Sequence, residues 1–587
     1  MSILIKTVRV FGLRGLQDIE VDLEHVTVLT GMNNTGKTSF LKALQIALGN
    51  RQFITPDDFY ISDSSSSDKI IVDIKIAPVG KGGVDRNDFD EEWEELFTVD
   101  RIMIDAVGKS FIPLRTIVTY DEIKAIYRSK QYILQDWPAF RTEGNAWYQA
   151  ANGKEKVFYF DEIPFFYMDA QRDILEDMKV KNSYLGKMIS KIEYSKEDMI
   201  KIEQQIKELN EKAVSSSSIL SNIKATLKEL DSAMDASSEG IEITPFTKKI
   251  RDLNKGLSIY YADKQDSFPM EYHGMGTRSW SSLLTLKSFI NLLAKNAENE
   301  RTPFFPILAI EEPEAHLHPN AQKKLYKQLE GIKGQKIIST HSPYIAASAE
   351  LSQIRNFYKD NTSVACGVIN TGELDPEDIR MIRRHVTNTR GELFFSKAII
   401  FFEGDTEEQA LPIFAEYYFN KTPVEMGIDF VGVGGHGNYL PFLRIAEALR
   451  IPWFILSDAE PAIKTSVKKQ YVECGCCKSE GNAVFFLGDG NNFEKQLISD
   501  GYNEEVRESI IKIELPKCQS PQHAEAKKEE IASYNDLKLC EIITGSKALF
   551  GPVIAETIIE KKKPLPPTVT ALFDKIKSLL ERRDKDE

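Results

Sequence analysis

Gly31-Met32-Asn33-Asn34-Thr35-Gly36-Lys37-Thr38 has the spacing G-x-x-x-x-G-K-[ST], whose chemistry is phosphate binding. In such a loop backbone N–H groups cradle the phosphates, and the start of the following helix adds positive potential. Lys37 is expected to reach the β- and γ-phosphates of ATP, and Thr38 to give its hydroxyl to Mg²⁺. Asn33, Asn34, Gly36 and Ser39 complete the candidate nucleotide-binding set. A second piece fits the first. Phe305-Pro306-Ile307-Leu308-Ala309-Ile310 is an apolar run ending in Glu311-Glu312. Such a strand buries its length and projects carboxylates from its C-terminal end, where ligands bind in an open α/β sheet. Glu311 is expected to hold Mg²⁺ through water, and Glu312 to orient the attacking water. Ile337-Ile338-Ser339-Thr340-His341 is another buried strand, with His341 at its exit placed to sense the γ-phosphate.

The second half of the chain carries a different set of acids. Ile399-Ile400-Phe401-Phe402 runs into Glu403-Gly404-Asp405-Thr406-Glu407. Trp453-Phe454-Ile455-Leu456 ends in Ser457-Asp458-Ala459-Glu460, and Val484-Phe485-Phe486-Leu487 leads to Asp489 and then Glu494. Each set alone reads equally as a solvated turn. Together, carboxylates from three strand ends on one edge repel one another. A divalent cation that prefers hard oxygen ligands, Mg²⁺ or Mn²⁺, resolves that repulsion.

The elements that position these groups alternate strand and helix. Strand-like runs cover Ile3 to Val10 and Val21 to Thr30 around a turn at Gly12 to Gly15, and an apolar-periodic helix covers Thr38 to Leu48. Alternation continues to about Asp173. From Lys181 to Ala236 apolar residues recur at helical spacing through Met188, Ile189, Ile192, Met199, Ile202 and Ile206, then through Ile223, Leu227 and Leu230 after Ser215-Ser216-Ser217-Ser218. This predicts a helical hairpin inserted into a larger domain, read either as a surface excursion or as a dimerisation arm. Alternation resumes near Gly240, a polar link spans Asn370 to Arg390, and a second α/β unit opens at Ala398. The domains are therefore drawn as 1–180 and 241–390 for a split nucleotide-binding unit, 181–240 for its insertion, 391–560 for the second unit and 561–587 for a charged helical tail.

Composition bounds the function. The chain has 587 residues, 28% of them charged and 42% hydrophobic, with a formal net charge of -14. This excludes a globally basic nucleic-acid coat protein but leaves room for a local basic groove. Six cysteines do not make a disulfide scaffold. No run reaches the ~18 apolar residues of a membrane span, so the expectation is a soluble, cytoplasmic chain with no membrane partner. Cys474, Cys476 and Cys477, with Cys518 and His523 at a distance, read either as zinc ligands or as free thiols. Gly432 to Gly437 reads as a flexible turn beside the acids, and Lys561-Lys562-Lys563 as a solvated face or a DNA contact.

Glu311-Glu312-Pro313-Glu314-Ala315-His316-Leu317-His318-Pro319 followed by Ser339-Thr340-His341-Ser342-Pro343 resembles the ABC-type ATPases of the SMC and OLD (overcoming lysogenization defect) group. Phe11-Gly12-Leu13-Arg14-Gly15 resembles the group's N-terminal turn. Gln171 falls where its Q-loop is expected, and Gly274-Met275-Gly276-Thr277-Arg278-Ser279 occupies the signature-loop position without the LSGGQ wording. The resemblance implies a P-loop ATPase head split by a helical insertion, and a head-to-head homodimer or higher oligomer. The acids of the second unit resemble a TOPRIM domain. Glu403 matches its leading glutamate, and Asp458-Ala459-Glu460 its Asp-x-Asp element with Glu for the second Asp. By the same resemblance Glu407 and Glu494 are further metal ligands and Lys547 is the catalytic lysine. The resemblance thus implies an α/β chain, an ATPase followed by a TOPRIM nuclease, that cleaves DNA with ATP and two Mg²⁺ or Mn²⁺ ions. No separate region carries a nucleophilic Tyr of the topoisomerase kind. Relatives of this build act in anti-phage defence, which implies a co-encoded partner such as a helicase or reverse transcriptase. The alternatives are an ATP-driven DNA clamp with an inactive TOPRIM unit, and a regulatory subunit of a larger assembly.

Overall fold

Twelve mostly buried residues, Ser2–Leu13 (β1), turn at Arg14-Gly15 and pair antiparallel with Leu16–Asp22 (β2). Val26–Gly31 (β3) is buried at every position, as a central parallel strand must be. Residues 2–48, 54–62, 65–80, 83–142, 145–149, 153–179, 186, 195–231, 245, 260–263, 266–360, 363–384, 391–475 and 481–586 are described by the computed structural model. The helical periods read at Met188, Ile189 and Ile192, and the domain edges drawn at 180–181, 240–241 and 390, lie outside the described residues.

The first sheet continues from β1 to Lys69–Val79 (β4), Ser110–Asp121 (β5) and Ile126–Leu134 (β6), each antiparallel to the last. Between β4 and β5 the Asp73 carboxylate takes two hydrogen bonds from Arg115, at 2.6 and 2.7 Å, inside the core. Removing one partner of such a buried pair costs about 3–5 kcal/mol.

The second sheet orders Phe165–Met168 (β7), Ile307–Glu311 (β8), Gln335–Ser339 (β9), β3, Ile354–Asp360 (β10) and Ser363–Val368 (β11). β8, β9, β3 and β10 run parallel, and β11 turns back antiparallel. Helix α1 (Lys37–Ala47) leaves β3 and buries Phe40, Leu41, Leu44 and Ile46 in a core shared with Ile74 of the first sheet and Ile307 and Ile337 of the second. Burying each such side chain contributes about 1.5–3 kcal/mol.

A third sheet is all parallel, in the order Ile428–Gly432 (β13), Ala398–Phe402 (β12), Trp453–Ser457 (β14) and Val484–Phe486 (β15). β12 and β14 are fully buried, which explains their unbroken apolar runs.

By compactness the chain forms two units, residues 1–167 with 305–314 and 319–587, and residues 168–304 with 315–318. The first and third sheets and all of the second but Met168 thus belong to one unit. In the other, helices α2 (Lys196–Ser216) and α3 (Ser218–Asp231) pack on each other. α2 buries Ile206 and Val214, whereas Ile200, Leu209, Ile219 and Ile223 face solvent. Ser195 caps α2 by accepting from the Asp198 N–H. Among the described residues no helix is long and apolar enough to cross a membrane.

Candidate nucleotide and metal sites

The loop after β3 folds over its own lysine. Lys37 Nζ donates to the carbonyls of Gly31 at 2.8 Å and Met32 at 2.7 Å. Burial lowers its pKa to about 8, against the opposing pull of Glu312 and Glu314. Thr38 Oγ1 donates to Glu311 Oε1, so the hydroxyl and carboxylate expected at Mg²⁺ do stand together. The other Glu311 oxygen takes the Tyr167 hydroxyl. The sequence reading favoured Gln171 in this stretch. Gln171 is exposed, with its backbone N–H on Asp169 Oδ1 at 3.0 Å. Tyr167 opens the same stretch, and the sequence gives it no role.

Glu312 follows with a left-handed φ of 40°, and its Oε1 lies 3.8 Å from His341 Nε2. Burial, then Lys37, pushes the His341 pKa down to about 4. The imidazole is therefore neutral at pH 7, and the contact is not an ion pair. Glu314 holds this loop in place, and sequence reasoning gave it no role. Its Oε1 accepts from Thr340 Oγ1 at 2.8 Å and from the N–H groups of His341 at 2.7 Å and Ser342 at 2.9 Å. Asn33, Asn34, His341 and Phe395 line a cavity of about 530 Å³. Gly36 is the N-cap of α1, and Ser39 lies half-buried in its first turn. In the other unit the Gly274–Ser279 stretch opens helix α4 (Met275–Glu300), and Arg278 pairs with Asp173.

The second set of acids gathers at the C-terminal edge of the third sheet. Glu403 follows β12, and its Oε1 accepts from Ser457 Oγ at 2.6 Å and Tyr439 OH at 3.3 Å. Burial raises its pKa, partly offset by those two donors. Glu407 lies in the first turn of α5 (Asp405–Phe419) and is 3% exposed. Burial, then the Asp458 charge, raises it to about 8. Asp458 follows β14 and is raised to about 7 by burial, then by Glu403 and Glu494. Glu494, in α6 (Phe493–Ser499), is 1% exposed. Its Oε1 accepts from Thr406 Oγ1 at 2.5 Å and lies 3.2 Å from Lys547 Nζ. Burial works against charge on Lys547, but Glu494, Glu407 and Asp458 outweigh it and hold the ammonium above its ordinary pKa.

The structure thus brings Glu403, Glu407, Asp458, Glu494 and Lys547 into one electrostatic cluster. Glu460 is exposed at the N-cap of helix α7 (Pro461–Glu473), and its charge bears on Glu403 and Asp458. Of the two acids after the third strand, Asp489 pairs with Lys464 and is exposed, and Glu494 is the one that joins the cluster. Sequence reasoning did not foresee Ser457, Tyr439 or Thr406 as donors, because nothing local marks them.

Do these residues fit a cation? Among the described residues no group of three or more His, Cys, Asp or Glu side chains is drawn together closely enough to hold a metal ion. Yet Glu407 Oε2, Asp458 Oδ1 and Glu494 Oε2 are buried without a hydrogen-bond partner. Buried carboxylate oxygens in that condition are costly, and hard oxygen donors suit Mg²⁺ or Mn²⁺. The donor set fits. For zinc, Cys474 and Cys518 carry thiols rather than disulfides, and Cys476 and Cys477 lie outside the described residues. Lys561 and Lys563 are drawn to the chain itself, Lys561 to Glu508 at 2.6 Å and Lys563 to Glu505 at 3.3 Å.

Residues 4–346 match the family model "AAA ATPase domain", and residues 394–459 match "Overcoming lysogenization defect protein-like, TOPRIM domain". The chain is 22% identical over 515 residues to endonuclease GajA of Bacillus cereus (strain HuB5-5), covering 76% of this chain and 72% of that one. It is 22% identical over 485 residues to the OLD nuclease of Thermus scotoductus, covering 78% and 82%. The C-terminal region of the Xanthomonas campestris OLD protein aligns with 32% of this chain and 99% of its own, at 20% identity and a TM-score of 0.26. Fold and site together define a class: a P-loop ATPase joined to a TOPRIM unit, the build of an ATP-dependent nuclease. The chain belongs to the AAA ATPase domain family, and it carries the TOPRIM domain of OLD-like proteins.

Proposed function

We propose that the chain is a DNA endonuclease that cuts phosphodiester bonds at the Glu403–Asp458–Glu494 cluster and is gated by ATP in the Lys37 loop. The observation that carries this reading is the set of unpartnered buried oxygens on Glu407, Asp458 and Glu494, gathered beside Lys547. Glu403, Glu407, Asp458 and Glu494 are the proposed holders of two Mg²⁺ or Mn²⁺ ions, with Glu460 at the rim. Bound there, the ions supply a water of lowered pKa and charge to steady the leaving oxygen. Ser457 and Tyr439 orient Glu403 by donating to its Oε1. Lys547, kept protonated by its acidic neighbours, answers the charge that builds on the phosphate.

At the ATPase site Lys37 and the loop amides bind the phosphates, Thr38 and Glu311 serve Mg²⁺, Glu312 orients water, and neutral His341 reads the γ-phosphate. We take the active form to be a homodimer or higher oligomer with α2 and α3 as its arm. The family resemblance supports a role in anti-phage defence alongside a co-encoded partner.

The test is nicking of supercoiled plasmid with Mg²⁺ or Mn²⁺, with and without ATP. Wild type and Lys37→Ala are expected to cut, and Glu403→Ala is not. DNA binding without cutting by purified wild type, in every metal and nucleotide condition, would establish the clamp instead.

A further inference from the structure

Asn356 lies buried in β10 with both ends of its amide engaged. Its Oδ1 accepts from the Thr30 hydroxyl at 3.1 Å, one residue before the phosphate loop. Its Nδ2 donates to the Leu449 carbonyl at 2.7 Å. A carbonyl only accepts, so the amide has one possible orientation. Leu449 caps the C-terminus of the helix Tyr439–Ala448, which belongs to the TOPRIM unit.

Three further observations make this a joint. The first is close approach. A Cβ on Gly367 in β11 would stand 2.6 Å from the Ala448 carbonyl oxygen and 2.9 Å from Leu449 Cα. The end of the helix therefore sits directly on the backbone of the ATPase sheet's edge. Second, the other end of the same helix carries Tyr439, whose hydroxyl donates to Glu403. Ten residues of α-helix span about 15 Å, and a close-packed element of that length moves as a body. Third, a cavity beside the phosphate loop is shared. It is lined by Met32 and Asn33 of the loop, by Asn356 itself, and by Phe395 and Arg450.

We propose that Asn356 is the joint through which nucleotide in the phosphate loop sets the position of the Tyr439–Ala448 helix, and so of Glu403. Asn356 is a positioning residue for the carboxylate site and a ligand of neither site. A shift of β3 acts on Thr30, Asn356 passes it to the Leu449 carbonyl, and the helix carries it to Tyr439. As a regulation of nicking, this rests on the nuclease reading given above.

The experiment uses the full chain with Asn356→Ala, Thr30→Val and the double variant, each checked for an unchanged thermal melt. Thr30→Val keeps the Asn356–Leu449 bond, so it carries the test if Asn356→Ala does not fold. Three quantities are read: the ratio of nicking rates with and without ATP, the KM for ATP, and hydrogen exchange of residues 439–448 with and without ATP. Allosteric ratios are commonly about 5- to 150-fold. Each single variant is expected to bring the nicking ratio within about twofold of one, with KM for ATP changed less than about twofold and the double no worse than either single. The response of the helix to ATP in exchange is expected to vanish with it. Folded variants that keep the wild-type ratio overturn the proposal. So does a loss of ratio matched by an equal rise in KM, which would make Asn356 a nucleotide-binding residue. If wild type nicks nothing, the nuclease reading has failed and exchange alone decides. An ATP response at 439–448 lost in the variants upholds the joint, and no response in wild type overturns it.

Discussion

Gly404 and Glu407 share one space at the end of β12. A Cβ on residue 404 would lie 2.6 Å from Glu407 Oε2 and 3.3 Å from its Cδ. The missing side chain is what lets a buried carboxylate fold back over the strand end toward Asp458. Gly404→Ala is therefore expected to displace Glu407. Nicking should fall about tenfold or more and stability by about 1–3 kcal/mol, the usual cost of overpacking. ATP hydrolysis, measured on the same sample, should stay near wild type. Full nicking by Gly404→Ala would remove Glu407 from the site.

Lys547 stands 3.2 Å from a Glu494 oxygen that also takes the Thr406 hydroxyl. Lys547→Met keeps most of the aliphatic stem and removes the charge. Loss of one preorganised charge at a reacting phosphate costs about 10²–10³ in rate. The same change removes a cation that competes with metal. Mn²⁺ binding by calorimetry should hold or tighten while nicking collapses. Weakened Mn²⁺ binding would mark Lys547 as a structural support instead.

Glu314 gives the ATPase prediction. One of its oxygens holds Thr340, His341 and Ser342 together. Glu314→Ala leaves those donors unpaired, at about 1–3 kcal/mol for a buried group. The kcat for ATP should fall about tenfold with a smaller change in KM, because the loop that carries His341 loses its anchor. Glu314→Gln retains a carbonyl oxygen and should keep most of the activity. Equal losses in Gln and Ala would show that the charge, not the acceptor, matters.

The acids of the TOPRIM unit make stability depend on pH in a stated direction. Glu407 is raised from its ordinary 4.5 to about 8, and Asp458 from 3.8 to about 7. The native state therefore holds protons that the unfolded chain has already released. Stability in the presence of chelator should fall as pH rises from about 4 to about 8, and level off above. Denaturant midpoints measured across that range in EDTA should show the slope, and Glu407→Gln should flatten it. Mg²⁺ at the alkaline end should restore stability by replacing the lost protons. An identical slope in Glu407→Gln would assign the dependence elsewhere.

Much of the nucleotide site was legible because its signal is local. The Gly31–Thr38 spacing, the apolar run before Glu311 and the strand before His341 each lie in one short stretch. Buried parallel strands also announce themselves, and β12 and β14 read as apolar runs ending in acids for the reason that both their faces are covered. Between Asp489 and Glu494 the strand signal alone does not choose, because strand order predicts where a chain exits, not which following side chain turns inward. Glu494 takes the buried place from one turn into the next helix, and Asp489 goes to solvent with Lys464.

The residues that hold the candidate site groups in position were not legible. Tyr167 on Glu311, Glu314 under His341, Tyr439 and Ser457 on Glu403, Thr406 on Glu494 and Asn356 between Thr30 and Leu449 all act across long separations in the chain. A hydroxyl or amide has no periodicity and no motif until packing brings its partner within hydrogen-bonding reach. The sequence by itself determined the chemistry available: a phosphate loop, a strand-end acid pair and a second set of acids at three strand ends. Only the tertiary structure decided which acids lose their water. It left Glu407 and Glu494 buried side by side with oxygens that no donor reaches, left Glu460 and Asp489 outside, and joined the edge of the second sheet to the helix behind Glu403.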